Sequence, residues 1–121
     1  TAASAAIGTP SSLGSVERHI FLRAVLSGGH TRGHLSLVFE SQGEKAIYLG
    51  DICPSRAHMR RMWHLAYDTY PLGTRRQKPI LLGQAADEGY WVLWNHDPLV
   101  AASRVARTYA ATILSSSPSS R

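Results

Sequence analysis

Hydrophobic positions along the chain come in short runs separated by polar turns. HIFLRAVL (residues 19–26) and HLSLVFES (34–41) carry the branched and aromatic side chains that suit strands, and they flank the glycine-rich turn SGGHTRGH (27–34). SQGEK (41–45) supplies a second turn, and AIYLG (46–50) is a continuous apolar run of the kind a buried strand shows. YWVLW (90–94) is another, and LVAASRVA (99–106) with TYAATIL (108–114) suits a closing antiparallel pair. Between the third and fourth runs, PILLGQAADEG (79–89) pairs Leu81 with Ala85 and Leu82 with Ala86 on one helical face. Inside a helix Pro79 would cost ~3 kcal/mol, whereas at the first helical position its missing N–H costs little. The spacing therefore predicts a short helix from Pro79 to about Glu88, ended by Gly89. Residues 51–73 have poor periodicity and read as loop with some helix.

The two ends differ in character from this middle. Residues 1–16 and the final SSSPSSR (115–121) are dominated by Ala, Ser, Gly, Thr and Pro without a hydrophobic period, which predicts linkers or disordered tails around one domain spanning residues 17–114. With 121 residues, 44% of them hydrophobic, one compact unit is expected, and no internal repeat is present. Because it begins at Thr1, the sequence reads as a processed product or a piece of something longer.

Charge and cysteine usage narrow the class of function. The net charge of +5 permits anionic partners, but the arginines are scattered and lack interleaved aromatic residues, so a nucleic-acid partner is not expected. The single cysteine, Cys53, cannot form an internal disulfide and is expected to be a small buried thiol. No apolar run reaches the ~18–20 residues that span a bilayer, and the N-terminal residues lack the features of a secretory signal. A soluble, cytoplasmic protein with no membrane partner is the expectation.

Three polar residues share one setting. His30 follows the first strand, Asp51 ends the run at YLG, and His96 ends WVLWN, all in loops at the carboxyl ends of strands, where a rigid scaffold holds binding groups. Two imidazoles and a carboxylate are a ligand set that Zn²⁺, Fe²⁺ or Mn²⁺ accepts. The same residue types equally serve as loop caps or as hydrogen-bonded histidines of a core.

Order and spacing add a resemblance. The sequence GHTRGH, then YLGDICPSRAH, AYDTYPL and ADEGYWVLWNHDP resembles the C-terminal half of the metallo-β-lactamase fold, within the group of lactonase-like and glyoxalase-like hydrolases. The likeness covers about residues 17–114. It implies an α/β fold of α+β type, one mainly antiparallel or mixed sheet with a few helices, forming half of an αββα sandwich. It further implies His30 as ligand to one metal, Asp51 as the carboxylate bridging two, and His96 as ligand to the second. A metal-activated water would then attack an ester, lactone, thioester or similar small substrate. His34 and Thr31 would support these ligands by hydrogen bonds, and Gly28, Gly29 and Gly33 would allow the tight turn. His58 is a candidate for the substrate pocket and the catalytic machinery, Tyr67, Asp68 and Tyr70 resemble a segment near the substrate mouth, and Trp63, Trp91 and Trp94 would line core or pocket.

The family's HxHxDH motif, which belongs to the N-terminal half, does not occur in this sequence. A catalytic zinc usually takes three protein ligands and an open position, so three residues divided between two ions would hold one ion weakly or none. The resemblance therefore implies a hydrolase fragment, inactive alone, completed by its missing half or by self-association through an uncovered sheet face. The competing reading is a non-catalytic half-fold acting as an association module.

Overall fold

The computed structural model describes residues 2–9, 18–107 and 113–118. One seven-stranded sheet runs in sequence order through β1 (Ala2–Thr9), β2 (Arg18–Leu26), β3 (Leu35–Ser41), β4 (Glu44–Tyr48), β5 (Trp91–Leu93), β6 (Ala102–Arg107) and β7 (Ile113–Pro118). Every neighbouring pair is antiparallel except β4 and β5. That parallel step needs a crossover, which is built from two 3₁₀ turns, Gly50–Ile52 and Arg56–Met59, and one long helix, α1 (Pro71–Glu88). The result is a mixed sheet with one long helix, an α+β arrangement.

Strand alternation divides the sheet into two faces. Val38, Ile47, Val92 and Ser103 lie side by side across four strands and are buried, as are Leu81, Leu82 and Ala85 of α1, which complete the core with Tyr90 and Trp94. Their strand neighbours point the other way. Leu37, Tyr48 and Leu93 form a second lateral row that is only half-buried, and the paired Leu26 and Leu35 at its margin are 45% and 47% exposed. One face is thus packed by the helix, and the other is apolar and open among the described residues.

Two sequence expectations need correction. The helix starts at Pro71, not Pro79: Pro71 takes the first-turn position, and Pro79 sits in the interior. The first two turns carry no apolar stripe because the side chains they bury are Thr74 and Lys78. The Lys78 ammonium donates hydrogen bonds to the carbonyls of Arg60 and Trp63, tying the loop before the helix to its second turn. Gly89 ends the helix as expected, in a left-handed conformation (φ 70°, ψ 35°). The second correction concerns the ends: Ala2–Thr9 pairs with β2 and Ile113–Pro118 with β6 through backbone hydrogen bonds, which need no hydrophobic period. The rest of the expected linkers, residues 1, 10–16 and 119–121, lies outside the described residues, as does most of TYAATIL.

Pro79 leaves the Arg75 carbonyl without its helical N–H partner. An interior proline costs ~3 kcal/mol against alanine, offset by ~1 kcal/mol from the stiffer unfolded chain. Pro79→Ala is therefore expected to stabilise the chain by about 2 kcal/mol, read as a higher urea midpoint at unchanged slope.

Candidate functional site

The turn after β2 is shaped by backbone that only glycine tolerates. Gly29 has φ +85°, and a Cβ there would lie 2.6 Å from Thr74 Oγ1 and 2.8 Å from the Thr74 backbone nitrogen. The turn thus presses directly on the start of α1. The N–H groups of Thr69 and Tyr70 donate to the carbonyls of His30 (3.0 Å) and Gly29 (2.8 Å), fixing the turn against the segment before the helix. Gly28 also has positive φ, but Gly33 does not, and a Cβ at Gly33 would meet nothing within 4 Å. Only two of the three glycines are needed for the turn.

His34 is held at both ring nitrogens. Its Nε2 accepts the Asp51 backbone N–H (3.0 Å), so the proton belongs on Nδ1, which donates to Ser27 Oγ (2.6 Å). The Ser27 hydroxyl in turn donates to the His34 carbonyl (3.1 Å). Burial, helped by the neighbouring His30, lowers the His34 pKa and favours this neutral form. With both nitrogens engaged the ring fixes the Asp51 backbone. Gly50 has φ +63°, and a Cβ there would come within 2.7 Å of His34 Nε2.

Asp51 is the point of convergence. Its Oδ2 lies 3.4 Å from His30 Nε2, and its Oδ1 lies 3.5 Å from His96 Nε2. The Asn95 side-chain amide donates to the same Oδ1 (3.0 Å). The opposite nitrogen of His30, Nδ1, is 2.8 Å from Oδ1 of Asp68, whose side chain is fully buried. With the proton on Nδ1, directed at Asp68, the Nε2 lone pair faces an Asp51 oxygen. An imidazole nitrogen and a carboxylate oxygen turned toward each other are satisfied either by a second proton on the imidazole or by a metal ion that both ligate, and this nitrogen and oxygen are donors that a metal accepts.

The fit is divided between two places. Each imidazole faces a different oxygen of Asp51, and among the described residues no group of three or more His, Cys, Asp or Glu surrounds one point closely enough to hold an ion.

His96 is placed by a clamp that the sequence did not reveal. Asp97 accepts from Arg56 Nε (2.8 Å) and Nη2 (3.2 Å) and from the backbone N–H groups of Arg56, Leu99 and Val100. These bonds hold its carboxyl well below the usual carboxylate range, the Arg56 guanidinium contributing most. The His96 N–H donates to the Pro54 carbonyl (3.0 Å), completing the join between the two loops. The His96 side chain remains 69% exposed.

Other expected site residues lie elsewhere. The His58 Nδ1 pairs with Ser55 Oγ (2.7 Å), and no hydrogen bond or ion pair joins it to His30, Asp51 or His96. Thr31 is exposed and serves its turn through its carbonyl, which accepts the His34 N–H at 3.4 Å. Tyr67 packs edge-on to His30 with ring centroids 5.8 Å apart, but Asp68, expected only near the substrate mouth, is buried behind that histidine. Trp94 is core, and its Nε1–H donates to Ser103 Oγ. Trp63 is 48% exposed, outside the core, and Trp91, under the Arg104 guanidinium, lies on the open face.

Similar solved structures share this arrangement of elements. A probable metal-dependent hydrolase from Staphylococcus aureus matches with 36% identity and a TM-score of 0.63, over 76% of this chain and 33% of that one. AbOPH, a hydrolase of the β-lactamase superfamily, matches at 21% identity and a TM-score of 0.68, over 76% and 32%. AidC, a dizinc quorum-quenching lactonase bound to an N-acyl-homoserine product, matches at 22% identity and a TM-score of 0.72, over 83% and 34%. The chain is part of a metallo-β-lactamase fold. It spans about a third of the length of these three structures, in keeping with a C-terminal half of that fold. No protein-family model matches the chain, and neither does any curated protein. Among the described residues, no helix is long and apolar enough to cross a membrane.

Proposed function

We propose that the chain is the C-terminal portion of a metal-dependent hydrolase acting on a small ester, lactone or thioester. The observation that carries this reading is Asp51, whose two oxygens each face a different imidazole Nε2. His30 would hold one ion, His96 a second, and Asp51 would bridge them. Zinc fits this mixed nitrogen and oxygen set, as would iron or manganese. When bound, such a pair of ions supplies a water of lowered pKa and polarises the scissile group. The chain's own residues provide orientation: His34 fixes the Asp51 backbone, Asn95 one carboxylate oxygen, and Asp97 the loop that bears His96. A small-molecule substrate accords with the lactonase neighbour, whose bound product is an acyl-homoserine. The lone, buried thiol of Cys53 suits a reducing cytoplasm.

On this reading the chain alone is a weak metal binder without activity, since three ligands are divided between two ions. The open face of Leu26, Leu35, Leu37 and Leu93 would receive the rest of the domain. Zinc titration of the chain by competition with a chromogenic chelator tests the site. The expected result is binding that falls about tenfold or more on His30→Ala, Asp51→Ala or His96→Ala. No binding, or binding indifferent to all three changes, would sink the reading.

A further inference from the structure

We propose that Asp68 is the positioning residue of His30, fixing which ring nitrogen carries the proton and so presenting Nε2 to a metal; this rests on the metal reading above. The Asp68 side chain is fully buried, and its two oxygens are used separately: Oδ1 takes the His30 Nδ1–H at 2.8 Å, and Oδ2 takes the Thr74 hydroxyl at 2.9 Å. His64 Nδ1 lies a further 4.0 Å from Oδ2. Burying a carboxylate is unfavourable unless its lone pairs are satisfied, and a neutral amide could tie Thr74 to the loop without that penalty. What the charge adds is an acceptor strong enough to hold the proton on Nδ1 of His30, which leaves Nε2 with a free lone pair.

The surroundings make the bond directional. Backbone bonds from Thr69 and Tyr70 join the turn to the segment bearing Asp68, and Thr74 anchors the same carboxylate to the first turn of α1. The Tyr67 ring, edge-on to His30 at 72°, limits rotation of the imidazole. Asp68 touches no part of the Asp51 and His96 arrangement, so it acts through His30.

The test uses the 121-residue chain, its Asp68→Ala and Asp68→Asn variants, and Zn²⁺ alone as probe. Long-range ¹H–¹⁵N spectra of the metal-free proteins read the His30 tautomer. The expected result is Nδ1–H in the parent and in Asp68→Asn, whose side-chain oxygen still accepts, and Nε2–H in Asp68→Ala. Zinc affinity is expected to fall about 10- to 100-fold in Asp68→Ala and by a smaller factor in Asp68→Asn. A folded Asp68→Ala variant that keeps the parent tautomer overturns the proposal, and so does unchanged affinity. If Asp68→Ala does not fold, Asp68→Asn decides, because removal of the charge at equal shape must still weaken zinc binding by about threefold or more. Failure of the metal reading is distinguishable: His30→Ala would then leave zinc affinity untouched, while the tautomer, measured without metal, still decides the role of Asp68.

Discussion

Gly29→Ala is expected to destabilise the chain by about 2–5 kcal/mol, whereas Gly33→Ala, four residues away in the same turn, should change stability by no more than ~0.5 kcal/mol. The contrast follows from geometry. At Gly29 a Cβ would meet the Thr74 side chain at 2.6 Å and its backbone at 2.8 and 3.0 Å, and the residue sits at φ +85°. A left-handed conformation costs an L side chain about 1–2 kcal/mol, and overpacking against backbone adds about 1–3. The strain can be relieved only by moving α1 away from the turn, which would break the Tyr70 to Gly29 bond and shift Asp68 from His30. Weakened zinc binding should therefore accompany the lower stability. At Gly33 no atom lies within reach. Urea denaturation of both variants checks this, and equal midpoints would refute the assigned packing.

The strands were legible in sequence because each is a hydrophobic run cut off by a polar turn, and the site was legible for the same reason. Asp51 and His96 stand where such runs stop, so the pattern that marks the strand ends also marks candidate ligands. The beginning of α1 was hidden by chemistry rather than by noise. Its inward positions are Thr74 and Lys78, which are buried through hydrogen bonds instead of apolar contact, and Pro79 argues against the helix that contains it. β1 escaped notice because a strand of small residues at a sheet margin shows no alternation.

Polar pairing across long separations was the least legible feature. Asp68 is 38 residues from His30, and Asp97 is 41 from Arg56, distances at which one sequence carries no pairing signal. One local sign was available for Asp68. That sign is only its place near the start of α1: it lies two residues before the N-cap Tyr70, and its oxygens take the His30 imidazole and the Thr74 hydroxyl rather than helix N–H groups. The function it serves became visible only when the fold brought His30 to it.

Alkaline solution should expose a different buried group, the thiol of Cys53. Burial pushes its pKa up from 9.0 to about 12, and the thiol is 1% exposed, with only a weak contact to the Ser55 carbonyl at 3.7 Å. Below pH 9 the thiol is protonated in both folded and unfolded chains and has no effect on the pH dependence. Above pH 9 the unfolded chain loses the proton and the folded chain keeps it, so stability falls as pH rises toward 12. At about 1.4 kcal/mol per pH unit this loss reaches the order of 4 kcal/mol by pH 12. Lys78 works in the opposite sense: burial lowers its pKa, so stability rises with pH as the unfolded chain's lysine approaches its ordinary value of 10.5. Comparing the parent with Cys53→Ala reads the thiol's share together with its coupling to Lys78, which is present in both. Urea midpoints at pH 8, 9, 10 and 11 should drop more steeply in the parent above pH 9, while the variant, lower at pH 8 for its lost packing, follows a flatter course. Parallel profiles would show that the thiol ionises freely in the folded chain.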